Sequence, residues 1–163
     1  MDSKEFGLVA AQQLFQIEDL HYGFWELDEA IDLSNWKAAQ EKYTDFLFKH
    51  IKKNIKDKKE SKLLDIGCGV GMTTSKLLKM GYKVDGLVPS AWMAKYSRKA
   101  TEKYKSNEFG EIYECIFENL PTSNLEQKYQ LLFFSESFQY VNMRKSFNII
   151  NKIIKDDGCV IIF

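Results

Sequence analysis

The feature that most constrains the fold is a glycine-rich run that directly follows a short apolar segment. Residues 63–66 read Leu-Leu-Asp-Ile, glycines stand at 67, 69 and 71, and a helical pattern begins at Met72. Glycine permits the sharp turn that must follow a strand, and it leaves the backbone bare so that a ligand can approach closely. A strand, a glycine turn and a helix in this order predict an α/β unit with a ligand crevice at the end of the strand.

Strand and helix patterns alternate through the rest of the chain. Helices are predicted over about residues 3–19, 34–56, 72–80, 90–105 and 142–155, and strands over 63–66, 82–87, 111–117, 130–135 and 158–163. Strands that alternate with helices pair in parallel through right-handed crossovers. The sequence therefore predicts a doubly wound, mainly parallel Rossmann-like sheet with helices on both faces and an N-terminal helical segment. We predict a helical and aromatic lid segment over residues 1–33 and a core over residues 34–163.

Composition excludes several other classes of protein. The chain has 163 residues, enough for one domain, and its 23 basic residues balance 23 acidic ones. A net charge of zero argues against a nucleic-acid partner, which requires a basic surface. Its apolar runs are far shorter than the roughly 20 residues of a membrane span, and the N-terminus lacks the apolar core of a signal peptide. Three scattered cysteines indicate neither a disulfide framework nor a metal cluster, so we expect a cytoplasmic protein without a metal.

The spacing of the glycines favours one class of ligand. Gly-x-Gly-x-Gly differs from the Gly-x-Gly-x-x-Gly that is typical of dinucleotide pyrophosphate sites. Asp65, beside the first glycine, would repel a pyrophosphate but could counter a ligand's ammonium group. A nucleoside carrying a positive charge therefore fits this loop better than NAD does. An NAD-binding enzyme is accordingly the least favoured of three hypotheses for the function. A glycine turn without any ligand is the alternative.

The segment LLDIGCGVGMTT at residues 63–74 resembles class I S-adenosylmethionine-dependent methyltransferases. The resemblance covers about residues 34–163 and is strongest to the small-molecule branch that includes cyclopropane-fatty-acid synthases. It implies that the methionine end of S-adenosylmethionine contacts the loop through Asp65, Gly67 and Gly69. Cys68, between two of the glycines, is a further candidate for a cofactor contact, with a small residue in a tight turn as the alternative.

An aromatic stretch at residues 21–25 resembles the segment that precedes a helix in the same branch. Relatives use this stretch as a lid over cofactor and substrate. The resemblance therefore implies a lid role for Tyr22 and Trp25, and ordinary helix packing is the alternative.

Two positions depart from the family's pattern. Val88 stands where many members have an acid that holds the ribose hydroxyls, and Ile116 stands where an aspartate commonly meets the adenine. Neither side chain can accept a hydrogen bond. We expect cofactor contacts at Val88 and Ser90 after the second strand, although Ser90 is equally suited to cap a helix. Phe117 and Glu118 are the candidates for adenine contacts.

The segment over residues 133–141 changes abruptly from apolar to polar, as expected of a substrate-facing loop. Ser135 is the candidate for a cofactor contact there. Glu136 and Tyr140 are the catalytic candidates, with a capping role as the alternative for Glu136. A normal tyrosine, with a pKa of about 10, is a weak base near neutral pH.

The predicted sheet is short of the last two strands that the resemblance implies, and its last strand over residues 158–163 is apolar. An exposed strand at a sheet edge favours pairing, so we expect a longer protein, a degenerate domain, or a partner chain or second copy that completes the sheet. The first hypothesis for function is an S-adenosylmethionine-dependent methyltransferase acting on a small molecule or lipid, mainly by positioning the reactants. The second is a non-catalytic methyltransferase-like module that binds a partner chain through the open edge.

Overall fold

A computed structural model describes residues 3–15 and 21–163, and the chain forms two compact units, residues 1–53 and 54–163. The first unit contains helix α1, Ser3–Phe15, and helix α2, Trp36–Asn54, which ends at the boundary. The last part of the helix predicted over residues 3–19 lies outside the described residues. None of the described helices combines the length and the apolar character that crossing a membrane requires.

In the first unit, α2 is joined to the aromatic segment that precedes it. The backbone N–H of Phe24 donates to the carbonyl oxygen of Ala39 at 2.9 Å, and the Gln40 side chain donates to the carbonyl oxygen of His21 at 2.7 Å. The ring of His21 also stacks on Tyr43, with 4.3 Å between the centroids. Residues 34–53, which the sequence pattern assigns to the core, therefore group with the aromatic segment.

The second unit is a five-stranded parallel sheet in the order β3-β2-β1-β4-β5. The strands are β1 Lys62–Ile66, β2 Lys83–Leu87, β3 Ile112–Tyr113, β4 Tyr129–Phe134 and β5 Ile154–Ile162. The helices are α3 Met72–Lys79, α4 Ala91–Thr101 and α5 Met143–Ile153, with short 3-10 turns at Glu102–Tyr104, Phe117–Asn119 and Phe138–Tyr140. The predicted doubly wound, Rossmann-like α/β fold is confirmed.

The apolar core lies in separate clusters that cover the sheet. One cluster joins Leu64 and Leu132 of the central strands to Ile150 of α5. Another joins Val88, just after β2, to Ala94 of α4. Helices α4 and α5 thus each bury apolar side chains against the strands of the sheet.

The third and fifth strands differ from the prediction because strand pairing decides where they begin and end. The third strand, predicted over residues 111–117, is limited to Ile112 and Tyr113, which pair with the end of β2. The last strand begins at Ile154, four positions before the predicted start at Gly158, because Ile154 pairs with Tyr129. The helix before it therefore ends at Ile153.

A buried carboxylate links the strands at one end of the sheet. Asp85 of β2 has no exposed surface, and its oxygens meet the Lys62 ammonium at 2.7 Å, the Tyr129 hydroxyl at 2.8 Å and the Glu111 backbone N–H at 3.1 Å. Burial raises the pKa of the Tyr129 hydroxyl, and the Asp85 charge raises it further. Burial lowers the pKa of Lys62, while the Asp85 charge opposes that shift. Asp85 is therefore the carboxylate that these three groups share, while the Lys62 ammonium also donates to the carbonyl oxygen of Glu108.

We expect Asp85→Ala to lower the free energy of unfolding by about 3–5 kcal/mol, because it leaves the Lys62 charge buried without its carboxylate. Tyr129→Phe removes one hydrogen bond and should cost only about 1–2 kcal/mol. Urea denaturation of the two variants, with the exposed Glu126→Gln as control, measures both losses. Equal midpoints for Asp85→Ala and the control would contradict this role.

Candidate functional site

The loop after β1 turns tightly around the end of β2. Gly67, Gly69 and Gly71 have φ angles of +88°, +56° and +83°, in the left-handed region that glycine adopts without steric cost. The backbone N–H groups of Gly67 and Cys68 both donate to the carbonyl oxygen of Leu87, at 2.8 and 3.0 Å. The predicted glycine turn therefore lies at the carboxyl ends of β1 and β2, where doubly wound sheets bind ligands.

Two of these glycines are also required by neighbouring serines. A Cβ atom on Gly67 would lie 2.8 Å from Oγ of Ser137, which follows β4, and a Cβ atom on Gly71 would lie 2.8 Å from Cα of Ser97 in α4. Real Cβ atoms essentially never come so close to another heavy atom. Packing within the chain therefore accounts for glycine at positions 67 and 71.

Asp65 lies beneath the glycine loop rather than on its surface. Its side chain is only 1% exposed, and one carboxylate oxygen accepts a 2.7 Å hydrogen bond from the Thr74 hydroxyl in the first turn of α3. A carboxylate near the start of a helix also interacts favourably with the helix dipole. Asp65 thus joins β1 to α3 and places a negative charge at the base of the loop.

The side chain of Cys68 packs inward. Its Sγ atom lies 3.6 Å from the Ser97 hydroxyl oxygen, and a Cβ atom on Gly86 of β2 would lie 2.8 Å from it. Burial raises the pKa of the Cys68 thiol, and the nearby Asp65 charge raises it further. Any contact of Cys68 with a cofactor therefore has to come from its backbone.

The end of β2 carries the two residues predicted to lie near the ribose. Val88 is buried in an apolar cluster with Ala94 and Ile112, and its backbone N–H donates to the carbonyl oxygen of Tyr113 at 3.0 Å. The Ser90 hydroxyl oxygen accepts a 3.3 Å hydrogen bond from a backbone N–H in the first turn of α4. Ser90 therefore caps α4, and the ribose contacts of both residues stay predictions.

The residues predicted to meet the adenine lie in the turn after β3. The ring of Phe117 is buried in the core and meets the ring of Phe134 edge-on at 5.6 Å. A Glu118 carboxylate oxygen accepts a hydrogen bond from the backbone N–H of Asn142, the residue that caps α5. Glu118 thus ties this turn to the start of α5, and the adenine contacts of Phe117 and Glu118 stay predictions.

The loop after β4 contains the predicted cofactor contact and catalytic candidates. Ser135 and Glu136 are partly buried, and Glu136 has a left-handed φ of +55°. The backbone N–H of Glu136 donates to the carbonyl oxygen of Phe163 at 3.2 Å, while Tyr140 is 79% exposed. The structure therefore holds Glu136 just beyond the carboxyl end of β4 and leaves the Tyr140 side chain in solvent.

Ser137 is the residue of this loop that the sequence pattern does not single out. Its hydroxyl donates a hydrogen bond to the carbonyl oxygen of Ile66, the last residue of β1. The two residues are 71 positions apart, and only the order of parallel strands brings their loops together. The alternating α/β pattern predicts parallel strands but does not give their order, so no signal in the sequence paired Ser137 with Ile66.

The lid candidates Tyr22 and Trp25 lie in the first unit, where the Trp25 indole N–H donates to the carbonyl oxygen of Tyr22 at 3.2 Å. Their lid role stays a prediction. Among residues 3–15 and 21–163, no three histidine, cysteine, aspartate or glutamate side chains come together as a metal site would require.

A protein-family model described as mycolic acid cyclopropane synthetase matches residues 23–163 of the chain. No curated protein matches the sequence of this chain significantly. Geranyl diphosphate methyltransferase in complex with GPP and sinefungin has a similar structure, with a TM-score of 0.74 and 18% identity over 93% of this chain and 59% of that one.

Two further solved structures share the fold. Geranyl diphosphate C-methyltransferase from Streptomyces coelicolor A3(2), in complex with Mg²⁺, geranyl diphosphate and S-adenosyl-L-homocysteine, has a TM-score of 0.72 and 17% identity over 91% of this chain and 57% of that one. A candidate sarcosine dimethylglycine methyltransferase from Galdieria sulphuraria has a TM-score of 0.78 and 18% identity over 99% of this chain and 59% of that one. The chain thus spans 57–59% of the length of these three relatives.

We expect Cys68 to react with iodoacetamide at least about tenfold more slowly than Cys115, because burial both raises its pKa and blocks access. Peptide mass spectrometry after timed labelling of the native chain measures the two rates. In urea, the cysteines should react alike. Equal rates in the native chain would show that the Cys68 side chain is open to ligands.

Proposed function

Because the chain belongs to the mycolic acid cyclopropane synthetase family, we propose that it binds S-adenosylmethionine and directs methyl transfer to a small-molecule or lipid acceptor. The match confirms the resemblance to the branch of class I methyltransferases that contains cyclopropane-fatty-acid synthases. Structures of geranyl diphosphate methyltransferase contain S-adenosylmethionine or S-adenosyl-L-homocysteine. They support the same cofactor for this chain.

One observation carries the proposal: the left-handed glycine loop and the buried carboxylate of Asp65 lie together at the end of β1. The chain leads from β1 toward β2 and from β4 toward β5, in opposite directions along the sheet, and doubly wound sheets bind ligands in the crevice at such a point. A negative charge at the base of that crevice favours a cationic ligand over a pyrophosphate. The loop therefore fits the charged methionine end of S-adenosylmethionine.

The ribose and adenine positions fit the cofactor less tightly. Val88 is buried among apolar side chains, and neither Val88 nor Ile116 can accept a hydrogen bond. Each missing charge-assisted hydrogen bond costs about 1.5–3 kcal/mol of affinity. We therefore expect weaker cofactor binding than a chain with acids at both positions would show.

Positioning carries most of the proposed chemistry. S-adenosylmethionine, when bound, supplies a methyl group on a positively charged sulfur. The glycine loop would hold and orient the cofactor, and the Asp65 charge would stabilise its cationic end. Glu136, held in its left-handed conformation, and the exposed Tyr140 are our candidates to contact the acceptor. An in-line transfer needs little else if the acceptor is already nucleophilic.

The exposed edge of β5 favours the second candidate function, a non-catalytic module that binds a partner chain. In the described sheet β5 pairs with β4 only, and its Val160 and Ile162 side chains are 36% and 49% exposed. The second half of this strand, residues 159–162, is apolar, and an exposed apolar edge is a template for pairing with another chain. A second copy of this chain is the simplest partner to test.

For the first function, we expect S-adenosylhomocysteine to bind with a dissociation constant in about the micromolar range in isothermal titration calorimetry, and NAD to give no heat. Asp65→Asn keeps an acceptor for Thr74 but removes the charge, so it should weaken the cofactor about tenfold or more when S-adenosylmethionine is the ligand. Glu126→Gln, an exposed carboxylate outside the crevice, is the control. No heat for the wild-type chain would count against the proposal.

For the second function, sedimentation velocity compares the wild-type chain with Ile162→Lys, since lysine on an edge strand opposes pairing. Pairing between copies predicts a dimer that the substitution dissociates. A wild-type chain that stays monomeric at the highest concentration tested would exclude this mode.

A further inference from the structure

The loop after β4 is tied to the loop after β1 by one side chain. β1 and β4 pair in register from Leu63 with Leu131 to Asp65 with Phe133. The hydroxyl of Ser137 then donates to the carbonyl oxygen of Ile66, one residue beyond the last of these pairs. Ser137 thus extends the connection between β1 and β4 into the crevice where their loops diverge.

Gly67 provides the space for this hydrogen bond. Its φ angle is +88°, and a Cβ atom at this position would lie 2.8 Å from Oγ of Ser137. Any larger residue at 67 would therefore displace the serine from the carbonyl oxygen of Ile66. We call this hydrogen bond, together with the close approach of Gly67 and Ser137, the Ser137–Gly67 contact.

The residues on either side of Ser137 are held in a defined arrangement. Glu136, directly before it, has a left-handed φ of +55°, a conformation that costs free energy in a residue other than glycine. The ring of Phe138, directly after it, meets the ring of Phe134 edge-on at 5.1 Å. The loop that carries Glu136 is therefore held to β1 by Ser137 and to β4 by Phe138.

We propose that Ser137 is a positioning residue for the cofactor crevice, because the Ser137–Gly67 contact sets the separation of the two loops that form it. The inference rests on the proposed function, since the ligand of this crevice is taken to be S-adenosylmethionine or S-adenosylhomocysteine. Ser137 acts through the glycine loop and through Glu136. A serine suits this task because its hydroxyl reaches the carbonyl oxygen without filling the crevice.

The test compares Ser137→Ala, which removes the hydroxyl and keeps Cβ, with Ser137→Thr, which keeps the hydroxyl. Ser123→Ala, in an exposed loop before β4, is the matched control. In calorimetry, we expect Ser137→Ala to raise the dissociation constant for S-adenosylhomocysteine about fivefold to tenfold. Ser137→Thr should stay within about threefold of the wild type, and Ser123→Ala should not change the constant.

Hydrogen–deuterium exchange of the ligand-free chains tests the contact without any ligand. Ser137→Ala should speed exchange both in residues 135–140 and in residues 67–71, because the hydroxyl connects the two loops. Ser123→Ala should leave both segments unchanged. Faster exchange in residues 135–140 alone would overturn the proposal.

The two measurements separate failure of the inference from failure of the proposed function. A wild-type chain that does not bind S-adenosylhomocysteine contradicts the proposed function, and with it the role of Ser137 in a cofactor site. Normal wild-type binding that Ser137→Ala leaves unchanged overturns the inference alone. If Ser137→Ala does not fold, Ser137→Thr serves as the test. A folded Ser137→Thr variant whose dissociation constant for S-adenosylhomocysteine is about tenfold or more above that of the wild type would also overturn the inference.

Discussion

The second unit depends on one carboxylate that has no contact with water. Asp85 lies inside the sheet on β2, and its partners come from the start of β1, the start of β4 and the residue before β3. An ionised carboxylate is tolerated in such a place only when its neighbours satisfy it. The amino ends of these strands are therefore fixed relative to one another by a single charge and its partners.

The opposite end of the sheet is organised by other means. At the carboxyl ends of β1 and β4, glycine conformation and short polar side chains replace the ion pair. Asp65 is held by Thr74, and Ser137 reaches the backbone of Ile66. Because the strand starts are already fixed, this end can form a crevice from flexible residue types without losing the order of the sheet.

The sequence was sufficient for the fold and for the glycine loop, because both are written in local patterns. Alternating strand and helix periods predict the parallel sheet, and the glycines mark the turn after β1. The start of β5 at Ile154 was not predictable, since it follows from pairing with Tyr129. Ser137 escaped for the same reason, because its partner is distant in the chain. The inward direction of Cys68 was also hidden, since a turn between glycines has no period that assigns a face.

The packing around the glycine loop reaches beyond the segment that carries the glycines. Gly67 is confined by Ser137, and Gly71 by Ser97, so each glycine belongs to a pair whose second member lies elsewhere in the chain. A linear motif therefore records only half of the constraint. Substitution of either glycine would require the backbone segment that carries its serine to move as well, so each glycine and its serine segment form one structural unit.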